Sequence, residues 1–330
     1  MGRKAIITGV SHWVPEQVLT NKDLEKMVDT TDEWITTRTG IKERRILGPG
    51  KGSSYMGVKA AQRLLKERGI SAEELDLIIV ATVTPDTMFP NNACRIQHEL
   101  GAKNAWGFDL NAACSGFIFA LSTASQFIES GKHNKVLVVG TDKMSAITDY
   151  TDRTTCVLFG DAAACVLLEP GEEEGYGVLD FVNYCDGSGK DYLYLLGGGS
   201  LYPASHETVD KKMHYLFQDG KTVFKAAVQM MADVSVEILE RNRLTGKDIA
   251  YFIPHQANYR IIDAAARRMG VDSDKVVVNI DRYGNTTAAT IPMGLSEIYH
   301  DGKLKKGDYI VMAAFGAGYT WGSALVRWAI

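Results

Sequence analysis

Several things are missing from this 330-residue chain, and each absence narrows its function. No apolar run approaches the ~20 residues of a membrane-spanning helix, so no membrane span is expected. The opening MGRKAIITGV turns polar too soon for a signal peptide, and Ile6 stands where a myristoylation motif needs Ser or Thr. Charge bias is small: 36 Lys and Arg against 40 Asp and Glu leave a formal net charge of −4. That gives no overall basic character to suggest nucleic acid. Cysteine is sparse, with only Cys94, Cys114, Cys156, Cys165 and Cys185, odd in number and mostly within apolar runs. The scatter argues against a disulfide framework and for a reducing, cytoplasmic compartment. With no CxxC or HExxH, a zinc site is not expected. What remains is an ordinary soluble composition, 45% hydrophobic and 23% charged, long enough for one large α/β domain or two smaller ones.

The most informative run is DLNAACSGFIFAL, Asp109 to Leu121. The apolar WGFDL reads as a buried strand, Asn111-Ala112-Ala113 breaks it, and a helix-like stretch runs from Ser115 to Phe127. Cys114 therefore falls at a helix N-terminus, where unpaired N–H groups and the helix dipole favour the reactive thiolate. Small neighbours leave room for a substrate carbonyl. The competing reading is a buried structural cysteine.

The chain also repeats itself weakly. ISAEELDLIIVATV is followed later by LTGKDIAYFIPHQ, and CRIQHELGAKNAWGFDLNAACSG by YRIIDAAARRMGVDSDKVVVNIDRYGNTT. SGKHNKVLVVGTD is matched by DGKLKKGDYIVMAAF, and AAACVLLEP by SALVRWAI. Four pairs in the same order, about 170 residues apart, exceed the ~20–50-residue period of a solenoid and indicate two similar halves. The strands IIVATV, KVLVVG, YFIP, YIVMAA and CVLL lack alternation and should be buried on both faces. Helices covering two sheets in a layered α/β fold are the expected result. The seam falls in EPGEEEGYG, giving halves 1–172 and 173–330. The segment from Gly189 to Asp210 reads as a long loop, and its Gly197-Gly198-Gly199 lacks the context of a phosphate-binding loop.

Duplication brings two more residues forward. Adding about 171 to Cys114 lands on Asn285 in YGNTTAAT, so both should occupy equivalent turns that pseudo-twofold symmetry brings together. Asn285 is then either a plain helix N-cap or a hydrogen-bond donor facing the cysteine. His255, in FIPHQAN, follows a buried strand, a placement suited to a cleft. His12, His98, His133, His206, His214 and His300 have no comparable context and read as structural.

With these residues in view, the chain resembles the β-ketoacyl-acyl-carrier-protein synthase III family of condensing enzymes along essentially its whole length. The resemblance lies in VDTTDEWITTRTGIKERR, DLNAACSGF, DRTTCVLFGDAAA, IPHQAN, GNTTAATIP and FGAGYTWGSALVRW, in that order. It implies the thiolase-like five-layered αβαβα fold and a homodimer. It makes Cys114 the nucleophile that accepts an acyl group from acyl-CoA, with His255 and Asn285 completing the catalytic set. The oxyanion hole would use the N–H of Cys114 and that of Ala317, which stands where relatives often carry a middle glycine. Malonyl-acyl carrier protein would be the second substrate. No metal or redox cofactor is implied, CoA thioester being a substrate.

The resemblance also assigns Thr30, Trp34, Arg38 and Arg153 to the nucleotide end of CoA, with an Arg–aromatic sandwich around the adenine. Asn258 would meet the pantetheine arm. Lys225, Gln256, Arg260, Arg267 and Arg268 would receive the acidic carrier protein, and Phe89 would reach across the dimer into the partner's acyl pocket. Three alternatives stay open. One is a related acyltransferase or secondary-metabolism condensing enzyme; another is a degradative thiolase, which needs a second cysteine. The third is a non-catalytic carrier-protein-binding subunit.

Overall fold

The computed structural model describes residues 3–330. Its first half builds a sheet from β1 (Lys4–Trp13), β2 (Leu77–Ala81), β3 (Trp106–Leu110), β4 (Val136–Asp142) and β5 (Ala162–Gly171), in the order β1-β5-β4-β2-β3. The second sheet holds β6 (Gly177–Cys185), β7 (Ile249–Pro254), β8 (Tyr309–Gly316) and β9 (Thr320–Arg327), in the order β7-β8-β9-β6. Strand directions agree as well. β4 runs parallel to β2 and antiparallel to β5, just as β8 runs parallel to β7 and antiparallel to β9. The repeated sequence has become a repeated sheet.

Five layers follow from which faces are apolar. The helices α2 (Ser53–Arg68) and α3 (Asn92–Leu100) cover the outer face of the first sheet; Met56, Leu64 and Ile96 meet Ile78, Val80, Leu137 and Val139 there. Between the sheets lie α4 (Gly116–Glu129) and α7 (Thr290–His300). Their Phe117, Leu121, Ile291 and Leu295 pack against Ile79 and Val138 on one side and Ile310 and Met312 on the other. Outside the second sheet, α5 (Gly220–Arg241) and α6 (Tyr259–Met269) set Met231, Ile238 and Ile261 against Val311, Ala313 and Leu325. Successive strand residues thus enter different apolar layers, which is why the central strands read as unbroken hydrophobic runs. β5 ends at Gly171 and β6 begins at Gly177, yet the central layer takes side chains from both halves.

Two strands depart from expectation. β3 is an edge strand, and Trp106 is 49% exposed, so WGFDL is not the buried strand its composition suggests. Its counterpart in the second half, around Val276, is reduced to a single bridge with Phe252. Edge position explains both, since a strand with one neighbour has less to hold or cover it. Among the described residues, no helix is long and apolar enough to cross a membrane.

Candidate active site

The turn that carries Cys114 is shaped by its neighbours. Ala113 adopts φ +47°, a conformation costly for a residue with a Cβ. Asn111 supports it by accepting the Ala113 N–H at 3.3 Å. Ser115 Oγ donates to the Thr320 carbonyl at 2.9 Å, and Thr320 Oγ1 donates to the Ala112 carbonyl at 2.8 Å. These two bonds staple the cysteine turn to the start of β9. Gly316 at the end of β8 packs directly on the turn, where a Cβ would sit 2.7 Å from the Cys114 nitrogen. Only glycine allows that approach. Ala317 follows with no positive φ; the left-handed position is Gly318, at φ +136°. The alanine at the middle of this loop is therefore accommodated without strain.

His255 sits one residue beyond β7, its N–H donating to the Ala313 carbonyl at 2.8 Å. The side chain is 2% exposed, and among the described residues neither ring nitrogen has a partner. A buried, unpartnered imidazole is rare, and here its ring lines the same cavity as Cys114. Burial lowers its pKa to about 3, so the ring is neutral, with one nitrogen a donor and the other an acceptor.

Asn285 is clamped along its backbone. Its N–H donates to the Leu158 carbonyl at 2.8 Å and its carbonyl accepts the Gly160 N–H at 3.0 Å. The DRTTCVLFG motif thus supplies the cradle. Asn285 Oδ1 accepts the Thr287 N–H at 2.9 Å, which directs the Nδ2 donors elsewhere. Cys114, His255 and Asn285 line one cavity of about 660 Å³. Its walls are largely apolar, with Ile147, Leu193, Val223, Met231 and Phe315 among them, as expected of a site for an acyl chain.

The structure corrects three expectations. The cysteine is not poised as a free thiolate: the residue is only partly buried, yet desolvation of the thiol, with the Asp142 carboxylate adding to it, pushes Cys114 up to about 12. Secondly, the two turns are equivalent, but the residue-by-residue match is shifted. Ala113 at φ +47° corresponds to Thr287 at φ +49°, and α4 and α7 begin at Gly116 and Thr290. The counterpart of Asn285 is therefore Asn111, and that of Cys114 is Ala288. Thirdly, Gln256 cannot meet a carrier protein. It is 2% exposed and fully used inside, donating to the Pro254 and Val277 carbonyls and accepting from the Asn279 and Ile280 N–H groups. Its work is to tie β7 to the segment that leads into the Asn285 turn.

The remaining candidates divide by location. Arg153 lies over the Trp34 ring, 5.2 Å from its centroid, and 3.6 Å from the Asp29 carboxylate. Asn258 caps α6, and its Nδ2 donates to the Arg38 carbonyl at 3.0 Å, joining α6 to α1 (Asp32–Thr39). Asn258 and Thr154 also line the cavity, which therefore extends from Cys114 towards the Trp34–Arg153 pair. Thr30 Oγ1 is buried without a partner among the described residues. Lys225 and Arg260 are exposed, and among the described residues no carboxylate pairs with either; Arg260 lies over the Phe224 ring at 5.1 Å. Arg267 and Arg268 are paired with Asp263 and Asp233 at 3.1 and 2.6 Å. Phe89 is 85% exposed and is not part of the cavity of its own chain. Sequence reasoning missed Asp142 and Thr287. Their only signal was an acid ending the otherwise apolar VLVVGTD and the threonines after Asn285.

Comparison with known proteins agrees with this geometry. Residues 108–187 match the family model described as 3-oxoacyl-[acyl-carrier-protein (ACP)] synthase III, and residues 239–328 match its C-terminal model. The β-ketoacyl-[acyl-carrier-protein] synthase III of Chlorobaculum tepidum is 60% identical over 327 residues, 98% of this chain and 99% of the relative. That of Koribacter versatilis is 54% identical over 328 residues, covering 99% and 98%. The crystal structure of 3-oxoacyl-[acyl-carrier-protein] synthase III from Aquifex aeolicus VF5 superposes with a TM-score of 0.90 at 46% identity, covering 98% of this chain and all of that one. The five-layered architecture is thus the thiolase fold, and the chain belongs to the 3-oxoacyl-[acyl-carrier-protein] synthase III family of condensing enzymes.

Proposed function

We propose that the chain is the initiating condensing enzyme of type II fatty acid synthesis. An acyl-CoA, acetyl-CoA by this reading, acylates Cys114, and decarboxylative condensation with malonyl-acyl carrier protein then gives β-ketoacyl-acyl carrier protein. The single observation that carries it is the meeting of Cys114, His255 and Asn285 on one cavity, with the buried imidazole unpartnered.

In the first half-reaction the Cys114 sulfur attacks the thioester carbonyl. A C–S bond forms to Cys114, the C–S bond to CoA breaks, and the cysteine proton passes to the departing CoA thiolate. Proton loss accompanies attack, because desolvation disfavours the lone thiolate here. The N–H groups of Cys114 and Ala317 take the oxyanion role. In the second, malonyl thioester loses carbon dioxide, and the electron pair of the broken C–C bond becomes an enolate. The His255 ring N–H and Asn285 Nδ2 donate to its oxygen. The enolate carbon attacks the acyl-Cys114 carbonyl and expels the sulfur, which takes a proton from water. Both steps balance with no metal or redox group, and covalent storage makes the scheme ping-pong.

CoA binds with its adenine between Trp34 and Arg153, which requires Arg153 to lift from the ring, while Thr30, Arg38 and Asn258 line the path inward. The acidic carrier protein docks on Lys225 and Arg260, the basic side chains without carboxylate partners, with Arg267 and Arg268 at the rim. The enzyme works as a cytoplasmic homodimer. Exposed Met88 and Phe89 and the open edge of β3 support that assembly. In a condensation assay, the purified protein should convert short acyl-CoA and malonyl-acyl carrier protein to the β-ketoacyl product. Acyl transfer without carbon dioxide release would point instead to the related acyltransferase.

A further inference from the structure

Strand register shows where the two halves differ. Ala81 pairs with Gly140 in the first sheet, as Pro254 pairs with Ala313 in the second. Counting one residue on, Thr82 occupies the position of His255; two residues on from Gly140 and Ala313, Asp142 occupies that of Phe315. In the second half this corner faces the cavity. In the first half it is a closed polar knot. Asp142 is fully buried. One carboxylate oxygen accepts from Thr82 Oγ1 at 3.0 Å, the Val83 N–H at 2.8 Å, the Thr84 N–H at 3.1 Å and Thr84 Oγ1 at 2.9 Å. The other oxygen reaches into the second half, to Thr287 Oγ1 and to the Ala288 N–H at 3.3 Å.

Gly140, two residues earlier on the same strand face, completes the contact. A Cβ there would lie 2.3 Å from the Ala288 carbonyl oxygen, so the turn rests directly on the strand backbone. Thr287 is β-branched and sits at φ +49°, a conformation that needs outside support. Its N–H is the donor that fixes Asn285 Oδ1.

We propose that Asp142 is a positioning residue for the Asn285 amide, bolting the Thr287 turn to the first half so that the Nδ2 donors stay aimed at the malonyl thioester carbonyl. Because its target is Asn285, Asp142 supports the decarboxylating half-reaction through the Thr287 turn, an action separate from the charge it places near the Cys114 thiol, which Thr287→Val leaves unchanged; the inference rests on the role proposed for Asn285. An asparagine at 142 can keep the bonds to residues 82–84 through its carbonyl oxygen, but then turns an NH2 against the Ala288 N–H. Thr287→Val removes the bond from the other side, and Thr287→Ser retains the hydroxyl.

Acylation of Cys114 by acetyl-CoA and carbon dioxide release from malonyl-acyl carrier protein are measured separately in Asp142→Asn, Thr287→Val, their double variant and Thr287→Ser, with Asn285→Ala beside them. Asp142→Asn and Thr287→Val should each slow carbon dioxide release on the order of 10–100-fold, as small misplacement of a reacting group does, with acylation nearly unchanged in Thr287→Val and not slowed in Asp142→Asn, where loss of the charge eases ionisation of Cys114. The double variant should be no worse than the poorer single one, and Thr287→Ser should retain release. Equal loss of both half-reactions, or Thr287→Ser as impaired as Thr287→Val, would overturn the inference; Thr287→Val and Thr287→Ser decide it alone if Asp142→Asn does not fold. Normal release in Asn285→Ala would remove the role of Asn285 and this inference with it, an outcome separable from normal release in Asp142→Asn alone.

Discussion

At the scale of single residues, Cys114 and His255 line one largely apolar cavity that disfavours charge on either. The thiol is pushed up to about 12, and the imidazole is lowered to about 3. Alkylation of Cys114 by a small uncharged electrophile should therefore be slow at neutral pH and still rising with pH at pH 9; a plateau near pH 7 would show a resting thiolate. The catalytic candidates were legible in the sequence because each breaks a local pattern: a cysteine after two alanines, a histidine closing a strand, an asparagine inside a threonine-rich turn. Gln256 was misread because proximity along the chain to His255 says nothing about burial, and its side chain points into the protein. Asp142 was passed over because a lone acid at a strand end has no local sign that its partners lie 58–60 residues before it and 145–146 after it.

At the scale of elements, the turns do the positioning and glycines set their spacing. Gly316 carries the nucleophile turn and Gly140 the Asn285 turn, each with backbone where a Cβ would go. Gly316→Ala should displace the Cys114 N–H and cut acylation, by roughly the 10²–10³-fold that loss of one oxyanion donor costs, while leaving folding largely intact. Gly140→Ala should lower stability by about 1–3 kcal/mol, the usual cost of overpacking, read from a denaturant midpoint. On the surface, Arg260→Glu should raise the KM for the carrier protein several-fold and leave that for acyl-CoA unchanged; equal changes in both would remove the docking surface. Paired strands and helices were readable from the duplication because each repeats the same apolar order. The three-residue slip between Cys114 and Asn285 was not, because loops of unequal length separate the repeats and only the matching left-handed turns at Ala113 and Thr287 reveal the true alignment.

At the scale of the whole molecule, the two halves share one central apolar layer, so neither is expected to hold its fold alone. Acid should expose a coupled weakness. His255 and His12 have folded pKa values near 3 and 4, lowered by burial, against 6.5 when unfolded. Below pH 6.5 the unfolded chain binds protons that the folded one refuses. Stability should therefore be fully present above that pH and fall as pH drops towards 3–4, with a slope of about 1.4 kcal/mol per pH unit for each histidine. His255→Gln should flatten that slope in chemical denaturation between pH 6.5 and 4.5, and an unchanged slope would mean that His255 is not buried neutral. The central claim is that Cys114 carries the acyl group between two substrates. Its most direct measurement is mass spectrometry of the Cys114 peptide after exposure to acetyl-CoA alone. One acetyl group should appear on Cys114, be lost on adding malonyl-acyl carrier protein and be absent in Cys114→Ala. An unmodified Cys114, or an adduct that persists through condensation, would contradict it.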